Sequence, residues 1–414
     1  MQEPLLYDWN EVQPQTAEFR RPQRVELNDE TLRDGLQSPS VRQPTVDEKE
    51  AFLRLLPSLG IGAANIGYPG ASERAYRDVV RLASLIRDER LPIKPNCAGR
   101  THQADIVPMA RAQQVTGVPL QAALFIGSSP IRQWVEGWDM DRLLHTIEDA
   151  IGFATREGLE VMFVTEDTTR ARPEDIEAMY SAAAQAGATR FCVADTVGHA
   201  TPSGTQRVVQ FVRQVLERQS VAPEIDWHGH RDRGLDVINS LAALAAGATR
   251  VHACAAGIGE RVGNTAMDTV LVNLVMLGWL EQDLGHLAAY CRLAVEVTRS
   301  EMPRNYPVVG EDAFATSTGV HAAAVAKAYQ KGDNWLADRV YSSVPAALVG
   351  RRQAIKVGPM SGRSNAEFWL RDHGVEPTHE RLDAVMGAAK ATDHVLTDEE
   401  ILTTIGRLER SASV

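Results

Sequence analysis

The 414-residue sequence has little cysteine and no long uninterrupted apolar stretch. Its four cysteines form no C-x-x-C pair, and three of them lie in apolar, strand-like runs. This pattern excludes a disulfide framework and a paired-cysteine zinc or redox motif, so we expect buried, reduced thiols. No apolar run reaches the length that is needed to cross a bilayer, and no membrane partner is predicted.

Basic charge and targeting signals are also scarce. The chain has 43 Lys and Arg against 54 Asp and Glu, which gives a formal net charge of -11. This balance argues against a nucleic-acid partner, which would require a basic surface. The N-terminal segment is polar, contains several prolines and lacks an apolar core, so we expect no signal peptide and a cytoplasmic location.

The composition is that of a globular protein, and its order along the chain is regular. Eight short β-prone runs lie near Arg24–Asp29, Ala63–Tyr68, Leu91–Cys97, Leu120–Ile126, Leu159–Val164, Arg190–Ala194, Glu224–His228 and Arg250–Cys254. The clearest helical patterns between them are Val46–Leu59, Ser72–Glu89, Asp139–Arg156, Pro173–Ala186, Pro202–Arg218 and Gly234–Ala246. Eight strand–helix units of this size predict a (β/α)₈ TIM barrel. The alternative is a doubly wound open sheet, which is weakened because no G-x-G-x-x-G follows the first run.

The most informative local feature is His228-Gly229-His230, at the end of the seventh run. Two histidines at positions i and i+2 of a strand point to the same face, so both imidazoles can reach one cation. Asp34, which follows the first run, can add a carboxylate. Such a metal keeps open positions and can polarise a substrate carbonyl. The alternative interpretation is a pair of unrelated surface histidines.

Other polar residues also stand where strands are predicted to end. They are Asp29 to Gln37, Asn96, Arg100, Thr165–Asp167, Asp195, Thr196 and the segment Gly257–Asn264. Barrel enzymes place their chemistry at this end of the strands, so we expect these residues to share one rim. For Asp167 and Asp195 taken alone, helix capping is the favoured alternative.

Several of these segments resemble the metal-dependent Claisen-condensing acyltransferases. This family includes 2-isopropylmalate, homocitrate and citramalate synthases and shares a superfamily with hydroxymethylglutaryl-CoA lyase. The resemblance extends from about Val25 to about Leu370. The matching segments are Glu30–Gly35, Phe163–Arg170, Asp195–Gly198, His228–His230, Gly257–Asn264, Ser317–His321 and Ser361–Arg363.

The resemblance implies a role for each candidate residue. The metal ligands would be Asp34, His228 and His230, with Asn264 at or beside the metal. The catalytic residues would be Arg33, Glu166, His321 and Tyr341. The substrate-binding residues would be Gln37, Arg100, Thr196 and Arg231. The implied cofactor is Mg²⁺, Mn²⁺ or Zn²⁺, and the implied substrates are acetyl-CoA and a 2-oxo acid. Arg33 would stabilise the developing alkoxide, and His321 would be the acid/base group.

The same resemblance implies a domain organisation and an assembly. We expect an N-terminal extension (1–24), a catalytic barrel (25–285), a helical linker subdomain (286–345) and a C-terminal subdomain (346–414). In the synthases a partner chain supplies the catalytic histidine, so a homodimer with in-trans active-site residues is expected. For His321, an ordinary helix histidine remains the alternative.

Three departures leave the substrate open. Leu36 stands where synthases usually carry Glu, Asn65 stands where many have Glu, and Arg231 replaces a usual Asn. The expected function is condensation of acetyl-CoA with a 2-oxo acid to a 2-alkylmalate-type product, as in 2-isopropylmalate synthase. The alternatives are homocitrate or citramalate specificity, a hydroxymethylglutaryl-CoA lyase-like carbon–carbon lyase and, least favoured, a non-catalytic barrel scaffold.

Overall fold

The computed structural model describes Leu5, residues 20–222 and residues 224–412. The chain forms two compact units. The first is Met1–Glu281 with Glu296–Ser300, and the second is Gln282–Val295 with Glu301–Val414. The finer division into an extension, a linker subdomain and a C-terminal subdomain stays a prediction.

In the described part of the chain, eight parallel strands close into a barrel in sequence order. They are β1 (Glu26–Asp29), β2 (Ala63–Asn65), β3 (Lys94–Arg100), β4 (Gln121–Gly127), β5 (Glu160–Glu166), β6 (Arg190–Asp195), β7 (Ile225–Gly229) and β8 (Arg250–Ala253). The barrel closes where Leu27 of β1 pairs with Val251 of β8. The predicted (β/α)₈ barrel is confirmed, and the open-sheet alternative is wrong.

Helices follow the strands as the predicted pattern requires. They are α1 (Val46–Leu53), α2 (Glu73–Asp88), α3 (Gln103–Thr116), α4 (Pro130–Glu136), α5 (Met140–Arg156), α6 (Pro173–Gln185), α7 (Pro202–Arg218), α8 (Asp236–Ala245) and α9 (Met267–Met276). The chain caps several of them with its own side chains: Thr45 and Glu48 form a capping box on α1, and Thr201 accepts from Gly204 N on α7. Among the described residues, no helix is long and apolar enough to span a membrane.

The interior of the barrel carries buried charge. Asp226 of β7 accepts hydrogen bonds from Arg190 Nη1 of β6 and from Arg250 Nε of β8, each at 2.7 Å. His252 of β8 places Nε2 2.7 Å from Asp226 Oδ2 and Nδ1 3.3 Å from Glu30 Oε1. His252 therefore connects Asp226, in the barrel interior, with Glu30, which directly follows β1 at the rim.

The second unit is mainly helical. Its elements are α10 (Leu287–Thr298, which ends in the first unit), β9 (Ala315–Thr316), α11 (Gly319–Gln330), α12 (Asn334–Ala337), β10 (Ala354–Ile355), α13 (Arg363–Asp372), α14 (His379–Ala391) and α15 (Asp398–Ala412). Trp369, Leu370, Val385 and Ile401 belong to a buried cluster that joins α13, α14 and α15. The predicted helical C-terminal part is thereby confirmed.

The four cysteines have the environment that the sequence predicts. Cys97, Cys192, Cys254 and Cys291 are all buried and unbridged. Burial raises the pKa of Cys97 far above its ordinary value, so this thiol stays protonated.

Candidate active site

Three potential metal ligands converge at the C-terminal rim of the barrel. β7 presents His228, His230 follows directly, and Asp34 lies in the turn after β1. His228 Nε2 and His230 Nε2 lie 3.1 and 3.8 Å from Asp34 Oδ2, and the two nitrogens are 3.3 Å apart. All three side chains are buried. One ion can therefore contact all three.

Asn264 stands beside this cluster. Its backbone forms a bridge with His230, and its Nδ2 donates to Ile258 O at 3.3 Å. Asn264 Oδ1 is buried and has no hydrogen-bond partner among the described residues. An unsatisfied buried acceptor is costly, and a bound cation would satisfy it. The residues present thus fit a divalent ion, and their assignment as its ligands stays a prediction.

The loop that carries Asn264 needs its glycines. A Cβ on Gly263 would lie 1.9 Å from Gly257 O, and Gly263 has a φ of +110°. A Cβ on Gly259 would lie 2.3 Å from Asn264 Nδ2. The matched segment Gly257–Asn264 is therefore a tight backbone turn that fixes the amide at the rim.

A second possible metal cluster consists of Glu30, His228 and His252. Here the carboxylate already has partners: Glu30 Oε1 accepts from Asn28 Nδ2 at 2.8 Å, and Oε2 accepts from Arg33 Nη2 at 2.6 Å. His252 is held by Asp226. Glu30 and His252 are therefore held by other protein groups, and they lie next to the first cluster.

The electrostatics keep each group in the form that a metal site requires. Burial opposes the charge of Asp34, but Arg33 and the two imidazoles outweigh it and hold the pKa of Asp34 well below its usual range. Burial, with a further contribution from His228, lowers the pKa of His230 to about 4. The carboxylate is thus ionised and this imidazole neutral near pH 7, as metal ligation requires.

Arg33 is the cation of this site. Burial lowers the pKa of its guanidinium, but Glu30 and Asp34 outweigh burial and raise it above the ordinary value. Conversely, Arg33 and His252 overcome burial and lower the pKa of Glu30 to about 2. Arg33 therefore carries its charge beside the ligand cluster, with Nη1 3.4 Å from Asp34 Oδ2.

The barrel unit has a cavity of about 230 Å³, and this cluster forms part of its lining. Among the predicted residues, it brings together Arg33, Asp34, Gln37, Glu166, Thr196, His228 and His230. Burial raises the pKa of Glu166, while Arg132, 3.8 Å away, opposes that shift. Thr196 Oγ1 accepts from Asp167 N at 2.8 Å, which fixes the hydroxyl at the rim.

Two predicted substrate-binding residues do not line this cavity. Arg100 forms two hydrogen bonds with Asp105, from Nε at 2.9 Å and from Nη2 at 3.0 Å. Arg231 packs against the Gly257–Asn264 loop. Its Nη1 is so close to Gly257 that a Cβ at that position would lie only 2.4 Å from it. In the barrel unit, Arg100 is therefore bound by a carboxylate of α3, and Arg231 packs against a loop.

His321 and Tyr341 belong to the second unit. Their rings stack with centroids 4.2 Å apart, and both residues are exposed. His321 lies in the first turn of α11, where Ser361 Oγ donates to Ser317 O at 2.7 Å. The matched segments around Ser317 and Ser361 therefore contact each other. The acid/base role of His321 stays a prediction.

Sequence reasoning missed some residues of the site. Asp226 stands two positions before His228 on β7, and His252 stands two positions after Arg250 on β8, so the members of each pair point to the same face of their strand. This alternation of polar residues is the sequence signal that could have revealed Asp226 and His252. Asn65, a departure from the synthase pattern that was not predicted to belong to the site, lines the cavity, and its Nδ2 is buried without a partner among the described residues. Neither Asp167 nor Asp195 caps a helix with its own carboxylate: Asp167 accepts from Arg170 of the 3₁₀ turn that follows it and from Ser129, and Asp195 accepts from His199 N.

A closed barrel with a carboxylate–imidazole cluster at its C-terminal rim defines a class of barrel enzyme that uses a divalent metal. The chain belongs to the HMGL-like family, whose model matches residues 24–293, and it is an enzyme of that family.

Its relatives carry two different names. Homocitrate synthase AksA of Methanopyrus kandleri is 33% identical over 401 residues, which cover 96% of this chain and 94% of the relative. A probable 2-isopropylmalate synthase of the same organism is 32% identical over 372 residues, which cover 89% of this chain and 70% of the relative. Among solved structures, the HMG-CoA lyase of Bacillus subtilis superposes with a TM-score of 0.56 at 19% identity, over 69% of this chain and 96% of that one. This last likeness concerns the fold alone.

Proposed function

We propose that the enzyme condenses acetyl-CoA with a 2-oxo acid and then hydrolyses the thioester, which yields a 2-alkylmalate-type product such as 2-isopropylmalate synthase forms. One observation carries the proposal: Arg33 lies in the same cavity as the convergent Asp34, His228 and His230. A condensation that generates an alkoxide is accelerated by a metal ion and a cation beside the oxo oxygen, because both stabilise the developing charge. The names of the two relatives support the same reaction class.

Each group of residues in the cavity has a separate role in this reaction. A divalent cation held by Asp34, His228 and His230, with Asn264 beside it, would polarise the oxo group. The guanidinium of Arg33 stabilises the negative charge that develops on that oxygen. Gln37 and Thr196 orient the 2-oxo acid from the cavity wall.

The condensation and the hydrolysis take place in three steps. A base, His321 with Tyr341 stacked on it, removes a proton from the acetyl methyl group. The resulting carbanion forms a carbon–carbon bond to the oxo carbon, and the alkoxide takes up a proton. Water then attacks the thioester, the carbon–sulfur bond breaks, and CoA leaves as the thiol. We propose that His321 reaches this site from the partner chain of a homodimer.

A lyase of the hydroxymethylglutaryl-CoA type is the second candidate. Leu36 favours it, since the segment Asp34–Gln37 is more typical of the lyase than of the synthases. Against it, the lyase uses a cysteine in the glycine-rich loop, where this chain has Glu260 and Arg261. The condensation is therefore preferred.

The test is a thiol-release assay with acetyl-CoA and a panel of 2-oxo acids, with and without Mg²⁺ or Mn²⁺. We expect release that needs both a 2-oxo acid and the metal, and that chelation abolishes. Cleavage of hydroxymethylglutaryl-CoA without any condensation would instead establish the lyase. Turnover that is unaffected by chelation would contradict the metal assignment.

A further inference from the structure

We infer that the 2-oxo acid has a single carboxylate and an uncharged, apolar side chain larger than methyl, which contacts Ala98, Ala123 and Val164. This inference rests on the proposed function and names its substrate class. Neither the sequence motifs nor the relatives decide it, because the relatives include both a homocitrate and a 2-isopropylmalate synthase.

The cavity has two unlike halves. β1, β7 and β8 bring the charged half, with Arg33, the ligand cluster and His252. The strands β3 to β6 bring an apolar half, formed mainly by Ala98, Ala123, Met162, Val164, Cys192 and Ala194. A 2-oxo acid has the same division, because its carboxylate and oxo group are polar and its side chain extends from the oxo carbon. The polar end therefore belongs at the metal and the side chain at β3–β6.

The apolar half is a packed surface. Ala123, Met162 and Cys192 form one buried cluster, and Val164 packs against it while remaining partly exposed. Three of the six residues are alanines on three different strands, which leave volume that larger side chains would fill. A hydrocarbon group seated there is removed from water without losing a hydrogen bond.

Charge excludes a second carboxylate. Among the described residues that line this cavity, Arg33 is the single Lys or Arg, and it already faces Glu30 and Asp34. Toward the rim the cavity is lined by two acidic groups, Glu166 and Glu260, and the arginines beside them, Arg132 and Arg261, face these carboxylates and do not line the cavity. A distal carboxylate would lie on the apolar half without a cation, and an unpaired buried charge is strongly disfavoured.

Binding and turnover are measured separately. Calorimetric titration in the presence of Mn²⁺ compares 2-oxoisovalerate, pyruvate and 2-oxoglutarate, and the thiol-release assay ranks the same acids by kcat/KM. We expect 2-oxoisovalerate to bind at least roughly tenfold tighter than either of the others. Preferred binding of 2-oxoglutarate or pyruvate overturns the inference but leaves the condensation intact. Tight binding of 2-oxoisovalerate without thiol release by any acid contradicts the proposed function alone.

Two opposite substitutions test the contact surface. Ala123→Val fills the apolar half and should lower the ratio of kcat/KM for 2-oxoisovalerate to that for pyruvate by roughly tenfold or more. Val164→Ala enlarges the same surface and should raise the ratio for a longer acid, 4-methyl-2-oxopentanoate, to 2-oxoisovalerate.

The ratios separate a specificity role from a fold defect. A general loss of stability lowers the rates with all acids together and leaves their ratios unchanged. Unchanged ratios in both variants, at wild-type metal content, would therefore overturn the assignment of Ala123 and Val164.

Discussion

At the scale of single residues, Asp34 contacts both imidazoles of the cluster and the guanidinium of Arg33. It lies 3.1 Å from His228 Nε2 and 3.4 Å from Arg33 Nη1, and its pKa is held well below the usual range. Loss of its charge therefore removes a partner of two imidazoles and of a guanidinium at once, whereas loss of an exposed carboxylate does neither.

We predict that Asp34→Asn loses bound divalent metal and nearly all activity while the barrel still folds. The amide is a weaker ligand than the carboxylate, and it leaves the charge of Arg33 compensated by Glu30 alone. Metal content after dialysis, kcat and the circular dichroism spectrum are measured together. Asp149→Asn, at an exposed position of α5, is the control. Full metal content in Asp34→Asn would contradict the ligand assignment.

A second prediction concerns the planar geometry of the Arg33 guanidinium. Arg33→Lys keeps the positive charge but loses the planar fork that donates to Glu30 from Nε and Nη2. We expect kcat to fall by about 10²–10³-fold, as when one donor to a developing oxyanion is removed, with metal content preserved. Arg170→Lys is the control, because Arg170 also donates from Nε and Nη2 to a carboxylate three residues away, that of Asp167, and does not line the cavity. Equal effects of the two substitutions would reduce Arg33 to a structural role.

At the scale of elements, prediction succeeded where the sequence marks both ends. α7 spans Pro202–Arg218 as predicted, because Thr201 caps it and Pro202 suits its first turn. The predicted helix Val46–Leu59 ends at Leu53 and continues as a separate 3₁₀ turn that includes Pro57, since proline removes a helical hydrogen bond. The predicted second strand is also shorter, because Gly67 leaves the extended conformation.

The contact between β6, β7 and β8 leads to a stability prediction. Asp226 is buried between Arg190 and Arg250, so Asp226→Asn leaves two buried guanidiniums without that carboxylate. We expect the free energy of unfolding to fall by about 3–5 kcal/mol. Urea unfolding followed by circular dichroism measures the change, with Asp149→Asn as the surface control. A loss below about 1 kcal/mol would show that the barrel tolerates this break.

The same contact predicts the sign of a pH dependence. Burial raises the pKa of Asp226, but Arg250, His252 and Arg190 outweigh it and hold that pKa well below the ordinary value. A depressed carboxyl pKa stabilises the fold above the unfolded value, about pH 4, and this contribution is lost as the pH falls further. Unfolding free energies of wild type and Asp226→Asn should therefore converge below pH 4. A difference that is constant with pH would contradict this account.

At the scale of the whole molecule, barrel closure explains which parts of the site were predictable. Asp34 and His230 are distant in sequence, but both follow strands, so the predicted fold alone brought them to one rim. The position of Arg100 could not be predicted in this way, since its guanidinium is bound by Asp105 of the same βα unit, and strand order does not reveal that competition. The apolar half of the cavity could not be predicted for a related reason. In the sequence its alanines do not differ from other buried strand residues, and only the closed barrel shows that they line a cavity.

Whether two chains share one site is tested by complementation. Arg33 lies in the barrel unit and His321 in the second unit, so their variants damage different units. If His321 acts in trans, a mixed dimer of Arg33→Ala and His321→Ala has one site with both residues intact and one with neither. Random mixing makes about half of the dimers mixed, and one of their two sites works, so the unfractionated mixture should recover about a quarter of wild-type activity and isolated mixed dimers about a half.

The matched control for complementation is the pair Arg33→Ala and Asp34→Ala. Both lesions lie in the barrel, so every site of that mixed dimer lacks a barrel residue and no recovery is expected whichever chain supplies His321. Two different affinity tags, purified in sequence, isolate the mixed dimers before the thiol-release assay. If His321 acts within its own chain, each site of the Arg33→Ala and His321→Ala dimer lacks one residue, and that dimer stays as inactive as the control. Absence of recovery in a verified mixed dimer would therefore contradict the in-trans arrangement, while His321 could still be the base of its own barrel.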